Sequence, residues 1–286
     1  MKSMIGIDKC IYMEHITFSN GDKVCPIGQG TWNMGRNPLC EKSEANALLT
    51  GIDLGMNMID TAEMYGNEKF IGKVIKSCRD KVFLVSKVHP DNADYQGTIK
   101  ACEESLRRLG TDAIDLYLLH WRSKYPISET VEAMCRLQRD GKIRLWGVSN
   151  LDVDDMELID DIPNGCSCDA NQVLYNLQER GVEYDLIPYA QQRDIPVIAY
   201  SPVGEGKLLR HLVLRTIAEK HNATPAQIAL SWIIRNPGVM AIPKAGSAEH
   251  VKENFGSVSI TLDAEDMELL DISFPAPQHK IQLAGW

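Results

Sequence analysis

Short runs rich in Val, Ile and Leu recur along this chain at intervals of about 25 to 40 residues, with helix-length amphipathic segments filling the gaps between them. Parallel strands need long crossovers, and a crossover of this length is a helix, so the alternation constrains the chain to βα units and a parallel sheet. The apolar runs predict strands at 27–32, 56–60, 82–87, 114–119, 144–148, 169–173, 196–200 and 239–242. Between them the pattern predicts helices at 43–54, 67–77, 98–109, 128–140, 152–159, 184–193, 208–221 and 224–235. Several begin with a residue suited to the N-cap: Ser43 with Glu44, Ser128 with Glu129, and Thr224 followed by Pro225.

Eight βα units within 286 residues predict an α/β fold, a (β/α)8 TIM barrel forming a single domain over 1–286. Its active site would lie at the C-terminal ends of the strands. The two helices expected between the seventh and eighth strands are one more than a minimal barrel needs, and extra helices are expected near the C-terminus. The rival, a doubly wound sheet, usually announces itself by a G-x-G-x-x-G turn after the first strand. Here that strand leads into Gly28-Gln29-Gly30-Thr31-Trp32, without a third glycine or a helix start. No linker rich in Pro, Gly or Ser marks a domain boundary. Ser19-Asn20-Gly21-Asp22, inside 12–24, predicts a β-hairpin capping the bottom of the barrel.

A net charge of -9 argues against nucleic acid as a partner, since phosphate backbones need a basic surface. An anionic cofactor needs only a few local cations and helix N-termini. Eight cysteines without a C-x-x-C pair read as reduced thiols. The start of the chain lacks a secretory pattern, and no run approaches the roughly 20 apolar residues of a membrane span. A cytoplasmic protein is expected, with no membrane partner, as a monomer or weak oligomer. Cys166 and Cys168 lie too close for the usual zinc spacing and no His cluster accompanies them, so no metal is expected. The run Asp152, Asp154, Asp155, Glu157, Asp160, Asp161 reads as a solvated helix face.

Four polar residues fall where a predicted strand runs out into a turn: Asp60, then Tyr65 shortly after it, Lys87 and His120. On parallel neighbours they would converge on one rim. A tyrosine is a poor acid at neutral pH, and a cation beside it changes that. At about 4 Å and an effective dielectric near 20, an ammonium would favour the phenolate by about 4 kcal/mol, an upper bound because Asp60 pulls the other way. Asp60 would keep Lys87 protonated and fix its direction. Neutral His120, with the Tyr65 hydroxyl, could aim at a carbonyl oxygen and stabilise charge developing there. The missing reactant is a hydride, which no side chain supplies, so the site implies a nicotinamide cofactor.

In these residues the chain resembles the aldo-keto reductases, which are TIM barrels using NADPH with an Asp, Tyr, Lys, His tetrad. Asp60-Thr61-Ala62 with Tyr65, then Lys87, then His120 match that tetrad in order, and the resemblance covers nearly the whole chain. It implies that Gly30, Thr31 and Trp32 form the first-strand motif that lines the substrate pocket and contacts the cofactor. Trp32, Tyr65, His120 and Trp121 would line the substrate pocket. It also implies that Ser149, Asn150 and Gln172 hold the nicotinamide carboxamide and that Tyr200 stacks on its ring. The loop containing Ser201, Pro202, Gly204 and Gly206 would cover the pyrophosphate.

The segment Ile242, Lys244, Ala245, Gly246 and Ser247, with His250, Glu253 and Asn254, resembles the adenosine-phosphate motif. Lys244 would meet the 2′-phosphate, and Glu253 with Asn254 would read the adenine. Ala245 stands where many members carry serine, and His250 where many carry arginine. NADPH is the expected cofactor and NADH the alternative. The connection after His120 and the tail after Asn254 are short, which predicts an open mouth for small carbonyls such as 2-oxoaldehydes. Two other readings remain: a Schiff-base aldolase using Lys87, and a non-catalytic nicotinamide-sensing subunit.

Overall fold

The computed structural model describes residues 15–163 and 168–285; residues 12–14 of the expected hairpin, Cys166 and Trp286 lie outside them. The strands are β1 (Ile16–Thr17), β2 (Lys23–Val24), β3 (Gln29–Gly30), β4 (Met58–Asp60), β5 (Phe83–Val88), β6 (Ile114–Leu119), β7 (Ile143–Ser149), β8 (Asn171–Leu174), β9 (Val197–Tyr200) and β10 (Val239–Ala241). The helices are α1 (Glu41–Leu54), α2 (Glu68–Ile75), α3 (Tyr95–Leu109), α4 (Ile127–Arg139), α5 (Val153–Asp160), α6 (Leu186–Gln192), α7 (Leu212–Lys220), α8 (Pro225–Ile234), α9 (Ala248–Gly256) and α10 (Ala264–Ser273).

Strands β3 to β10 are all parallel and pair in chain order. A parallel bridge between Ile27 and Ala241 joins the first of them to the last. There Gly28 N donates to Ala241 O at 2.8 Å and Gly30 N to Pro243 O at 3.1 Å, closing the barrel. The seam requires glycine at position 30, where a β-carbon would stand 2.6 Å from Ile242 O.

Two apolar layers form, one inside the barrel and one between strands and helices. Met58, Val85, Leu116, Leu118, Leu145, Ile198 and Met240 fill the interior, while Tyr117, Leu119, Trp146, Val173 and Ala199 face the helices. Side chains alternate along a strand, so extending each inward set towards the C-terminal end dictates what reaches that rim. Asp60 follows Met58, Lys87 follows Val85, His120 follows Leu118, Gln172 follows Ala170 and Tyr200 follows Ile198.

The hairpin β1–β2 is antiparallel, pairing Ile16 with Val24 and Thr17 with Lys23. It is joined by five residues rather than by a tight Asn-Gly turn, with Phe18 N bonded to Asp22 O and Gly21 N to Phe18 O. Phe18 plugs the bottom of the interior, stacked on Phe83 at 4.7 Å.

Some boundaries shift for local reasons. Helix α3 starts three residues earlier than the pattern predicts because Asp94 accepts from Gly97 N at 2.9 Å. The predicted helix 208–221 splits into a 3-10 turn, Leu208–Arg210, and α7, because His211 is extended and its ring caps Val213 N. Thr224 closes a reciprocal capping box with Gln227 at the start of α8. Among the described residues, no helix is long and apolar enough to cross a membrane.

Candidate active site

Lys87 is fully buried. Its Nζ donates to both oxygens of Asp60, at 2.7 and 2.8 Å, and to Thr61 O at 2.9 Å. An ammonium has three protons, and all three are committed. Asp60, also buried, accepts a further bond from Gln172 Nε2 at 2.8 Å. Burial draws the Lys87 ammonium below the ordinary lysine range, and the charge and hydrogen bonds of Asp60, with the charge of Glu68, push the other way.

Tyr65 sits on a one-turn 3-10 helix, Glu63–Tyr65, just beyond β4. Lys87 Nζ lies 5.1 Å from the centre of its ring, and the ring meets His120 edge-on at 5.7 Å. Burial, reinforced by the charge of Asp60, raises the phenol above its ordinary range. The acidified tyrosine expected from the sequence is therefore corrected. The lysine faces the ring, and its protons are spent on Asp60 and Thr61.

His120 is neutral. Burial first, then the charges of Lys87 and His89, push its imidazole down to about 2. Its Nδ1 is buried with no hydrogen-bond partner among the described residues. A buried polar atom left open in this way is costly.

A supporting shell holds the rim, and the sequence reading did not anticipate the parts of it made by Asn67, Glu68, Ser86 and Arg108. Thr31 Oγ1 donates to Asp60 O at 2.8 Å, Thr61 Oγ1 to Asn67 Oδ1 at 2.7 Å, and Asn67 Nδ2 to Thr31 O at 2.8 Å. Asn67 precedes α2 and makes no side-chain cap on it; its side chain ties the end of β3 to the end of β4 instead. Buried Glu68 accepts from Ser86 Oγ at 2.7 Å and from Arg108 Nε at 2.6 Å. Ser86 was the legible signal, a buried hydroxyl at an outward position of β5, between apolar Leu84 and Val88, where it must find a partner.

At the mouth, Trp121 lies between His120, with ring centres 4.8 Å apart, and His89, at 5.1 Å. Trp32 is exposed. His89, also not anticipated, is positioned by its backbone N–H, which donates to the Glu63 carboxylate. A β-carbon at Gly285 would lie 3.7 Å from Asn150 Oδ1 and 4.0 Å from Tyr200 Oη, so the tail, though short, reaches the Asn150 and Tyr200 side of this rim.

The residues assigned to the cofactor fall into two groups around the same rim. In the first, Tyr200 Oη donates to Asn150 Oδ1 at 2.8 Å, and Asn150 Nδ2 donates to His120 O at 3.1 Å. Ser149 and Gln172 are buried beside them, and Ser201, Pro202, Gly204 and Gly206 follow β9. In the second, Ile242, Lys244, Ala245 and Gly246 lead from β10 to Ser247, the N-cap of α9, whose hydroxyl accepts from His250 N at 3.3 Å. Lys244 is half-exposed, 3.8 Å from Glu44 Oε1. Ala245 and Asn254 are buried and His250 is exposed. Glu253 accepts from Thr224 Oγ1 at 2.5 Å, bracing α9 against α8. A groove of about 1080 Å³ opens at the opposite end of the barrel, near Pro26, Pro196 and Gly238, and contains none of these residues.

A sequence model described as the aldo/keto reductase family matches residues 26–273. The chain is 49% identical to methylglyoxal reductase YeaE of Escherichia coli (strain K12), over 94% of this chain and 97% of that protein. It is 38% identical to a glyoxal reductase of Bacillus subtilis (strain 168), over 76% of this chain and 78% of that one. Among solved structures, an aldo-keto reductase from Klebsiella pneumoniae in complex with NADPH superposes with a TM-score of 0.93 at 46% identity, covering 96% of this chain and 99% of that one.

The neutral, buried His120 makes stability depend on pH with a definite sign. Between its folded value of about 2 and the ordinary 6.5, the unfolded chain holds a proton that the folded protein does not. Stability therefore falls as pH drops through this window, by up to about 1.4 kcal/mol per unit. Urea unfolding of the parent and of His120→Phe at pH 6.5 and 5.5 should show the parent losing about 1 kcal/mol more than the variant. Equal losses would mean that His120 takes up a proton as readily in the folded protein as in the unfolded chain.

Proposed function

The chain belongs to the aldo/keto reductase family, and we propose that it reduces small aldehydes and ketones, 2-oxoaldehydes among them, to alcohols with NADPH. One observation carries the reading: a buried, fully hydrogen-bonded Asp60–Lys87 pair lies beneath Tyr65 and neutral His120 on the inner rim. The relatives named methylglyoxal reductase and glyoxal reductase support the substrate class, and the NADPH complex of the Klebsiella neighbour supports the cofactor.

The residues present fit such a cofactor. Lys244 stands beside the N-terminus of α9, where the Ser247 cap and the backbone amides that follow suit a phosphate. Its cation would favour the 2′-phosphate of NADPH, with NADH as the weaker alternative. Asn254 would lie at the adenine, and Ser149, Asn150 and Gln172 at the carboxamide beside the Tyr200 ring. The bound nicotinamide supplies the hydride that the side chains cannot.

The side chains manage the oxygen of the carbonyl. Tyr65 Oη and the His120 ring donate to it and orient the substrate, while Trp121 and Trp32 wall the mouth against water. The raised affinity of Tyr65 for its proton suits a donor that must stay charged with hydrogen until an alkoxide, a far stronger base than a phenolate, forms beside it. Lys87, held on three sides, presents positive charge near that oxygen without reorganising. The same three bonds weigh against the aldolase reading, because a Schiff base needs a lysine nitrogen with a free lone pair.

Tyr65→Phe should lower kcat/KM for methylglyoxal by about 10²- to 10⁴-fold with NADPH affinity unchanged, the usual scale for a lost general acid. A retained rate in a nicotinamide absorbance assay would sink the proton-donor role. Lys244→Ala should weaken NADPH by roughly tenfold or more and leave NADH nearly unchanged, as read by tryptophan quenching. Equal losses for both cofactors would remove Lys244 from the 2′-phosphate.

A further inference from the structure

The segment 275–285 has no regular secondary structure, yet it is tied down at three points. Lys280 Nζ lies 3.4 Å from Asp152, 3.1 Å from Asp154 and 3.3 Å from Asp185. Two of these carboxylates are fixed at helix starts: Asp152 caps α5, accepting from Val153 N at 2.8 Å, and Asp185 immediately precedes α6. Next in the tail, Ile281 fills the space above Gly181, where a β-carbon would stand 3.0 Å from its side chain. Four residues further, Gly285 reaches Asn150 and Tyr200. Asn150 is only two residues from Asp152, so the tether and the covered group share the short connection between β7 and α5.

We propose that Lys280 is a clasp that seats the tail over Asn150 and Tyr200 and thereby gates the passage of the nicotinamide end of the cofactor. The inference rests on the cofactor reading above, and it makes Lys280 a positioning residue rather than a catalytic one. The chemistry suits a reversible latch. A half-exposed ammonium facing three carboxylates is held in place by several weak, salt-screened contacts rather than by one buried pair. Neutralising it frees the tail without removing any group that touches the cofactor. A gate has a kinetic mark that a binding contact lacks: opening it speeds entry and exit together and leaves the equilibrium nearly unmoved.

The test compares the parent with Lys280→Met and Lys280→Arg. Stopped-flow tryptophan quenching by NADPH should show association and dissociation both faster in Lys280→Met, by roughly three- to tenfold, with Kd within about twofold of the parent. Lys280→Arg should behave as the parent. Raising NaCl from about 0.05 to about 0.5 M should close the gap between parent and Lys280→Met, because the clasp is screened in the parent and absent in the variant. Carboxypeptidase trimming of the cofactor-free proteins, followed by mass spectrometry, reads the tail directly. Removal of residues from Gly285 inward should be faster in Lys280→Met.

Equal trimming in parent and Lys280→Met would overturn the clasp. Faster trimming with unchanged cofactor rates, or a change in Kd alone, would overturn the gating role. A parent that trims slowly but shows no quenching by NADPH would overturn the cofactor reading and leave the clasp standing.

Discussion

Everything at this rim depends on a charge pair sealed inside the barrel. Removing an ammonium from water costs several kcal/mol, and a single carboxylate repays that only with good geometry and with the remaining protons satisfied. Lys87 meets both demands, since two oxygens of Asp60 and the carbonyl of Thr61 take its three protons. Asp60 is secured in turn by Gln172, from the opposite side of the barrel. Such a pair adds little net stability over apolar side chains of the same volume. Its presence is better explained by what it does to its neighbours. It fixes a positive charge beside Tyr65 and, through burial and that charge, keeps His120 neutral.

The geometry follows from a parity rule applied several times. In a closed parallel barrel, alternate side chains fill the interior, so the inward positions one step past the apolar layer point into the C-terminal mouth. Asp60, Lys87, His120, Ser149, Gln172 and Tyr200 all have inward parity, and their convergence needs no distortion of the strands. Tyr65 is the exception. A short 3-10 turn carries it back over the mouth, and the Asn67 bonds to Thr31 and Thr61 anchor the turn's exit. Outside the barrel, Glu68 joins Ser86 to Arg108 and braces the strand that carries Lys87.

The fold and the convergence of Asp60, Tyr65, Lys87 and His120 on one rim were legible because both rest on local, periodic information. The apolar runs set the strands, and the positions at their ends set which residues could meet. The allocation of protons was not legible. Spacing could bring Lys87 close to Tyr65, but it could not reveal that Thr61 O completes the lysine's shell and leaves nothing for the phenol. Contacts between distant segments were hidden for a similar reason: Arg108 with Glu68, Glu253 with Thr224 and Lys280 with Asp152 connect surfaces whose approach is decided by the closed barrel. The length of the tail was visible in the sequence and its anchor at Lys280 was not.

The central claim is that the Asp60–Lys87 pair is retained for chemistry rather than for holding the fold together. The double variant Asp60→Asn/Lys87→Met tests it most directly, because it removes both charges without stranding either one in the interior. Urea unfolding, NADPH affinity and turnover of methylglyoxal should be measured on that variant and the parent. The account predicts a folded protein that still binds NADPH and whose turnover falls by about 10²-fold or more, on the scale of a lost preorganised charge. A double variant that turns over within about tenfold of the parent would contradict it.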